Sequence, residues 1–496
     1  MFLSDLIHES EILSAEKPVG DFPVGFPVSD SRRIFPGDLF FCMTGAKESG
    51  FSYLGEAISA GASAIIHDSL HDNVFSSSAR LGVPVIRVAD VRAAYATAWR
   101  RLTDEPQRSM RLAAVTGTNG KTSVMTFLSS LLRASGQTIG GIGTVGSYDG
   151  CRAMPADFTT PPPAILYPLL SRMRGHGVGI VVMEASSHAL SQKRLDGLCF
   201  ALGIFTNLTR DHLDYHKTFE EYRAAKETLF RACRISLLHR DDAAALSMGF
   251  AASGDVYYYS SLEPNAEFYF HDLHTHANGT DLTLDVFGKP YRVFLPLIGE
   301  FHAENAVAAI SGAILLGIPA EEAVAHASLL EAPCGRLEKL PTNTDFSVYI
   351  DFAHTPDALE KALFALRPLT DRLTVLFGAG GDRDRGKRPQ MGHVAETIAD
   401  RVILTSDNPR SEKPEAILDE IAAGMTEQTP ILLPDRKEAI AYALRTARAG
   451  EIVLLAGKGH ERTMTDAHGK HPFSEPDIVS ELLSNQDDNE SGTPLS

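Results

Sequence analysis

The segment Leu112-Ala-Ala-Val-Thr-Gly117-Thr118-Asn119-Gly120-Lys121-Thr122-Ser123 carries the strongest chemical signal in the chain. An apolar strand runs into a glycine-containing loop, and a helix is predicted from Lys121 to about Ala134, closed by Gly136. Glycines let backbone N–H groups turn inward around phosphate oxygens, and a helix N-terminus adds a favourable dipole. In such a loop Lys121 would reach the β/γ-phosphates of a nucleotide, and Thr122 would place its hydroxyl on Mg²⁺. The loop is a shortened variant of the GxxxxGK[ST] pattern, because Val115 stands five residues before Gly120.

Three further positions could do chemistry. The apolar run Gly179 to Met183 reads as a strand that delivers Glu184 at its carboxyl end. Near a phosphate loop that carboxylate is a natural Mg²⁺ ligand; it could equally be a solvated loop acid. The stretch from Phe205 to His216 packs two histidines and two aspartates behind another apolar strand, and His212 beside Asp211 suits a metal or phosphate. In the helix predicted over Phe219 to Phe230, the stripe Phe219, Tyr222, Lys226, Leu229, Phe230 follows i, i+3 and i+4 spacing. That spacing puts Lys226 on the apolar face, where an unpaired ammonium is costly. Either Lys226 snorkels to solvent, or it reacts with CO₂ to give a carbamate, turning a cation into an anionic metal ligand.

These residues need strands to aim them. Short β-rich runs alternate with helical stretches, which predicts an α/β protein with mostly parallel sheets. Residues 1–90 form a small α/β unit with strands at Asp38 to Met43 and Ser63 to His67 and a helix at Leu54 to Gly61. A helix from about Val91 to Arg101 and a loop around Pro106 lead into a central unit, residues 91–335, that contains the phosphate loop. Residues 336–496 form a third unit with strands Ser347 to Asp351, Thr374 to Phe377, Val402 to Thr405 and Ile452 to Ala456. That alternation is the pattern of a doubly wound, Rossmann-like sheet, whose sites lie at the carboxyl ends of strands. A length of 496 residues with 44% hydrophobic content exceeds one hydrophobic core. The net charge of −17 argues against general nucleic-acid binding. Five cysteines without a CxxC pair read as reduced cytosolic thiols. No apolar run approaches the roughly 20 residues of a membrane span, so a cytoplasmic location is expected. The polar tail after about Ser484 is expected to be disordered.

GTNGKT, MEASSHAL, FTNLTRDHLDYH, EYRAAK, GRLE, DFAHTPDAL, GAGGDRDRGKRP, DNPR and GKGHE occur in this order between residues 117 and 461, preceded by DSR at Asp30 to Arg32 and PGDLFF at Pro36 to Phe41. The set resembles the Mur ligases of peptidoglycan synthesis over nearly the whole chain. The resemblance implies an N-terminal UDP-binding domain, a central ATPase and a C-terminal domain that receives an amino acid. It implies ATP-dependent phosphorylation of the γ-carboxylate of D-glutamate in UDP-MurNAc-L-Ala-D-Glu. An amine of the incoming amino acid then attacks the acyl phosphate. The implied partners are these small molecules, with ATP as co-substrate, Mg²⁺ as cofactor and a monomeric enzyme.

By the same resemblance Lys226 matches the family's carbamylated lysine, and Thr122, Glu184 and His212 match metal-site residues. Gly117 to Ser123, Asn305, Arg336, Asp351 and His354 fall where the family holds ATP. Ser29, Ser31, Ala46, Lys47, Glu48, Thr159, Thr160, Ser186, Gln192 and Arg194 fall where it holds the UDP-sugar dipeptide. Arg383, Asp407, Asn408, Pro409, Arg410, Gly457 and Glu461 fall at the amino-acid pocket. DNPR is the pattern of enzymes that add meso-diaminopimelate, and an arginine fork suits that substrate's second carboxylate. Taken without the resemblance, Asp-Asn-Pro is a common turn and Arg410 a surface charge. Phe158, His302 and Lys217 depart from the family pattern. Three other readings compete: an L-lysine-adding Mur ligase, another ligase of the superfamily such as a folylpolyglutamate synthetase, and a P-loop switch or motor that makes no bond. The folylpolyglutamate synthetase should lack DSR and DNPR. Against the switch or motor, no NKxD and no obvious Walker B DxxG is present.

Overall fold

The computed structural model describes residues 1–490 except 16–19, 46–48, 69–81 and 156. The chain forms two compact units: residues 1–121, 132–208 and 218–257 make the first, and residues 122–131, 209–217 and 258–496 the second. Both are α/β.

The first unit contains a five-stranded sheet in the order Ile12–Ala15, Val85–Val88, Ala64–His67, Leu39–Phe41, Pro27–Val28, parallel except for its first strand. Leu39, Phe41, Ala64, Ile66, Ile86 and Val88 pack with Val91 and Tyr95 of the helix Val91–Leu102 into one apolar core. The same unit carries a parallel array ordered Cys233–His239, Phe200–Phe205, Arg111–Thr116, Ile180–Glu184, Ile139–Gly143. Gly146–Tyr148 and Ala153–Met154 extend it antiparallel. The middle strand Arg111–Thr116 is followed in sequence by a strand two places to one side and later by its neighbour on the other side. This is a topological switch point, where a crevice opens beyond the strand ends. The burial of Leu112 to Thr116 and of Ile180 to Glu184 on both faces explains why these strands read as continuous apolar runs.

The second unit contains an antiparallel meander of Phe268–His276, Gly279–Val286 and Lys289–Leu295, followed by the helix Glu300–Leu315. The sequence reading did not anticipate this meander. Its strands carry alternating polar residues, as one-sided antiparallel strands do. The unit also holds a six-stranded sheet ordered Glu338–Lys339, Ser347–Asp351, Ile452–Ala456, Leu373–Phe377, Arg401–Leu404, Ile431–Leu432, with only the first strand antiparallel.

Two expectations are corrected. The tail expected after Ser484 is helical as far as Glu490, the last helix running from Glu475 to Glu490; residues 491–496 lie outside the described residues. Ile478 and Val479 bury it in a core, and its one proline, Pro476, stands in the first turn, where a missing N–H costs nothing. Phe219 does not share the buried stripe of its helix; in the first turn it is 37% exposed, whereas Tyr222, Lys226, Leu229 and Phe230 are buried.

Candidate active site

In the first unit the strand Arg111–Thr116 ends in the loop Gly117 to Gly120, and the helix Lys121–Ala134 begins at once. Gly117 has φ of +155° and Gly120 of +84°. A Cβ on Gly117 would collide with Thr206 Oγ1, so only glycine fits this approach. Thr118 N donates to Asn207 O at 2.8 Å, and Asn119 N donates to Asn207 Oδ1 at 2.9 Å. The Lys121 ammonium donates to Gly117 O at 2.9 Å and to Thr118 O at 2.8 Å, so it lies folded over its own loop. Thr122 and Ser123 are buried in the first helical turn.

Glu184 ends its strand in register with Val115, immediately beside this loop, and is fully buried. Thr144 N donates to its Oε1 at 2.7 Å and Thr144 Oγ1 to its Oε2 at 3.1 Å. Lys226 is 1% exposed, so the snorkelling alternative is set aside. Its Nζ donates to Gly117 O at 2.7 Å and sits 4.6 Å from the Tyr222 ring centroid. The Tyr222 hydroxyl meets Thr118 Oγ1 at 3.1 Å. The phosphate loop, the acid and the lysine of the sequence reading are thereby brought together in one unit.

Of the residues that the resemblance assigns to the sugar dipeptide, Thr159, Thr160, Ser186, Gln192 and Arg194 gather at the same strand end. Thr160 Oγ1 donates to Glu184 O at 2.7 Å, and Ser186 N donates to Thr160 Oγ1 at 3.1 Å. Arg194 donates to Thr160 O at 2.6 Å and, through Nη2, to Gln192 Oε1 at 2.9 Å. Thr159 Oγ1 accepts from Thr144 Oγ1. Phe158, one of the departures, lies against the Arg194 guanidinium at 5.6 Å and so braces it by a cation–π contact. Ser31 donates to Glu56, and Ser29 bonds to the Tyr95 hydroxyl. Ala46, Lys47 and Glu48 lie outside the described residues.

In the second unit His212 caps the short helix Leu213–His216 with φ of +54°, and Asp211 lies 3.5 Å from its Nε2. Arg336 stacks on Phe352 at 4.7 Å. Asp351 accepts from Leu337 N at 2.6 Å and Ala353 N at 2.7 Å, while burial pushes its carboxyl up to about 6. His354 Nδ1 donates to Phe352 O at 2.9 Å within its own turn, and burial and the Lys387 charge lower its imidazole. Asn305 is buried in the helix Glu300–Leu315. His302, a turn earlier, is 1% exposed between Phe127 and Phe301. Neither of its ring nitrogens has a hydrogen-bond partner among the described residues. Burial, helped by the Arg336 charge, holds it neutral with a pKa of about 3.

The loop after the strand Arg401–Leu404 supplies Asp407 to Arg410, and the loop after Ile452–Ala456 supplies Gly457 to Glu461. Asn408 Nδ2 donates to Glu461 Oε2 at 2.9 Å and Asp407 Oδ1 at 3.0 Å. Arg410 adopts φ of +52°, and its Nη1 donates to Gly381 O at 2.6 Å. A Cβ on Gly381 would collide with Pro409 O, and one on Gly380 would press on Arg410 Nη1, so the two loops meet backbone to backbone. Arg383 is exposed on the first of them. Behind, the fully buried Arg436 donates to Glu475 at 2.8 Å, Ser406 O at 3.0 Å and Ala456 O at 2.7 Å, pinning both loop starts.

Comparison with known proteins decides the family. Residues 115–313 match the Mur ligase middle domain, and residues 335–459 match the Mur ligase glutamate ligase domain. Similar relatives are named UDP-N-acetylmuramoyl-L-alanyl-D-glutamate–2,6-diaminopimelate ligase. The one from Bacteroides fragilis is 38% identical over 96% of this chain and 99% of its own. The one from Bradyrhizobium diazoefficiens is 40% identical over 98% and 100%. The chain belongs to the Mur ligase family. A solved structure of a ligase with the same name superposes with a TM-score of 0.66 at 32% identity, covering 93% of this chain and 95% of that one.

Several residues of this Mur ligase escaped the sequence reading. Thr144, Asn207 and Thr206 sit in loops whose contacts to Glu184 and Asn119 are long-range, which no local spacing reveals. Lys458 stood within GKGHE, between residues that were named, yet a lysine next to glycine reads as solvated. No group of three or more His, Cys, Asp or Glu side chains among the described residues is arranged to hold a metal.

Proposed function

We propose that this protein joins meso-2,6-diaminopimelate to the D-glutamate γ-carboxylate of UDP-MurNAc-L-Ala-D-Glu, forming ADP and phosphate in the cytoplasm. The observation that carries the reading is the opposed charge at one end of the second unit's sheet: Asp407 and Arg410 on one loop and Glu461 on its neighbour. A zwitterionic terminus needs both signs, and a fork donor binds a carboxylate through two parallel bonds. The full-length likeness to ligases of that name supports it. Three functional domains, 1–90 for the UDP-sugar, 91–335 for ATP and 336–496 for the amino acid, are supported by the three separate parallel arrays.

In this reading the N-terminus of the helix that begins at Lys121, behind the Gly117 to Gly120 loop, holds the ATP phosphates, and Lys121 leaves its two carbonyls to follow the charge that moves onto the transferred γ-phosphoryl. Arg194, braced by Phe158 and Gln192, orients the dipeptide carboxylate for in-line attack. The diaminopimelate amine then attacks the acyl carbon, the C–O bond to phosphate breaks, and the amine gives up a proton. Mg²⁺ suits the donor set, since it takes one or two carboxylates plus waters and substrate phosphates and needs no all-protein cage. Glu184, Thr122 and His212 would hold it, with Lys226 as carbamate. When bound it would neutralise charge on the nucleotide phosphates. What supports the carbamate is the burial of Lys226 beside the phosphate loop, where turning a buried cation into an anion would create a metal ligand.

The test is phosphate release with ATP and UDP-MurNAc-L-Ala-D-Glu, with diaminopimelate or lysine as acceptor. Release should require all three substrates and should favour diaminopimelate by about 10³-fold, as expected where a charged partner is left unmet. Release without the acceptor, or equal use of lysine, would overturn the reading.

A further inference from the structure

Lys458 is 0% exposed at the floor of the loops that carry Asp407 to Arg410 and Glu461. An ammonium has three donors and no acceptor. Here each donor has a partner: Asn408 Oδ1 at 2.9 Å, Glu461 Oε2 at 3.0 Å and Thr463 O at 2.7 Å. Asp407 Oδ1 lies 3.7 Å away. Thr465 N also donates to Asn408 Oδ1 at 2.8 Å. With two donors fixed on Oδ1, the Asn408 amide has one orientation, and its Nδ2 must point at the two carboxylates.

We infer that Lys458 is a positioning residue for acceptor selection: its buried charge holds Glu461 and Asn408 in the orientation that receives the acceptor's distal ammonium. The inference rests on the reading of this pocket given above. Two carboxylates, Asp407 and Glu461, lie close together through Asn408, and like charges at that range repel. One buried cation beside them offsets that repulsion and holds both in place. Both contacts to Glu461 use Oε2, so Oε1 is the oxygen that meets an ammonium from the ligand. Arg410 is anchored separately, on Gly381 O and through its N–H on Thr465 O, so it can read the distal carboxylate without Lys458.

The separation gives a test. Lys458→Met and Lys458→Gln enzymes are assayed with diaminopimelate and with 2-aminopimelate, which keeps the far carboxylate and lacks the far amine. Removing a hydrogen bond to a charged group should raise KM for diaminopimelate by about 10- to 100-fold. The loss should fall on KM more than on kcat. KM for ATP and for the UDP-sugar dipeptide, and KM for 2-aminopimelate, should move by less than about twofold, since none of these ligands presents an ammonium to Glu461. An unchanged KM for diaminopimelate, or an equal rise for 2-aminopimelate, overturns the inference. Arg410→Ala run in parallel keeps the two readings apart: if it leaves diaminopimelate binding intact, the pocket itself is misassigned. If it weakens both acceptors while the Lys458 variants change neither, only the role of Lys458 falls. Two variants are used so that a folding defect in one leaves the other to decide.

Discussion

Lys121 holds two carbonyls of its own loop, a resting position from which a nucleotide phosphate can draw it away. Replacing it with alanine removes a charge that acts mainly on the transition state, so kcat should fall by about 10³-fold or more while the thermal unfolding midpoint stays near wild type. Near-normal turnover in that variant would show that the loop does not position a γ-phosphate. Arg410 acts differently. Its side chain is anchored at Nη1 and the substrate's second carboxylate would take the rest of the fork, so Arg410→Ala should raise KM for diaminopimelate and erase the preference over lysine. Competition between the two acceptors in one reaction reads this directly. The residue types at these sites were legible because spacing within a few residues declares them. Thr144, which donates twice to Glu184 from 40 positions away, was not, since its role exists only once two strand ends are neighbours.

At the scale of elements, the helix Phe219–Phe230 shows how far periodicity carries. Its limits and the burial of Lys226 follow from 3.6-residue spacing, and only Phe219, in the exposed first turn, departs. The partner of Lys226, the Gly117 carbonyl, is 109 positions away and beyond any local pattern. If the lysine is a carbamate in the working enzyme, Lys226→Ala should lose nearly all activity, and a short carboxylic acid should restore part of it by filling the vacated anionic position. Mass spectrometry showing a free amine in fully active, CO₂-depleted enzyme would contradict this. The strands of the parallel arrays were legible as apolar runs, because burial on both faces leaves no polar alternation. The antiparallel meander was missed because its one-sided strands mix histidine, aspartate and threonine with few aliphatics.

Across the whole molecule, buried titratable groups set how stability responds to pH. His302, held neutral with a pKa of about 3, and His460, lowered by burial to about 4, bind fewer protons folded than unfolded. Stability from both is complete above pH 6.5 and drains away as the medium becomes more acid. Asp351, raised to about 6, works in the opposite sense and costs stability as pH rises from 4 to 6. His302→Phe should therefore gain on wild type as pH is lowered from 7 to 5, by about 2 kcal/mol, the value of 1.5 pH units below an ordinary imidazole. Urea titrations at the two pH values measure it; a constant gap between the proteins would mean that His302 takes up its proton as readily folded as unfolded. The buried pair Arg436–Glu475 carries a consequence for anyone who shortens this chain. Glu475 opens the last helix, and through Arg436 it reaches the carbonyls of Ser406 and Ala456, from which the acceptor loops depart. A truncation that stops before Glu475 would leave an uncompensated guanidinium beneath those loops. Acceptor use should suffer, read as a raised KM for diaminopimelate in the shortened protein.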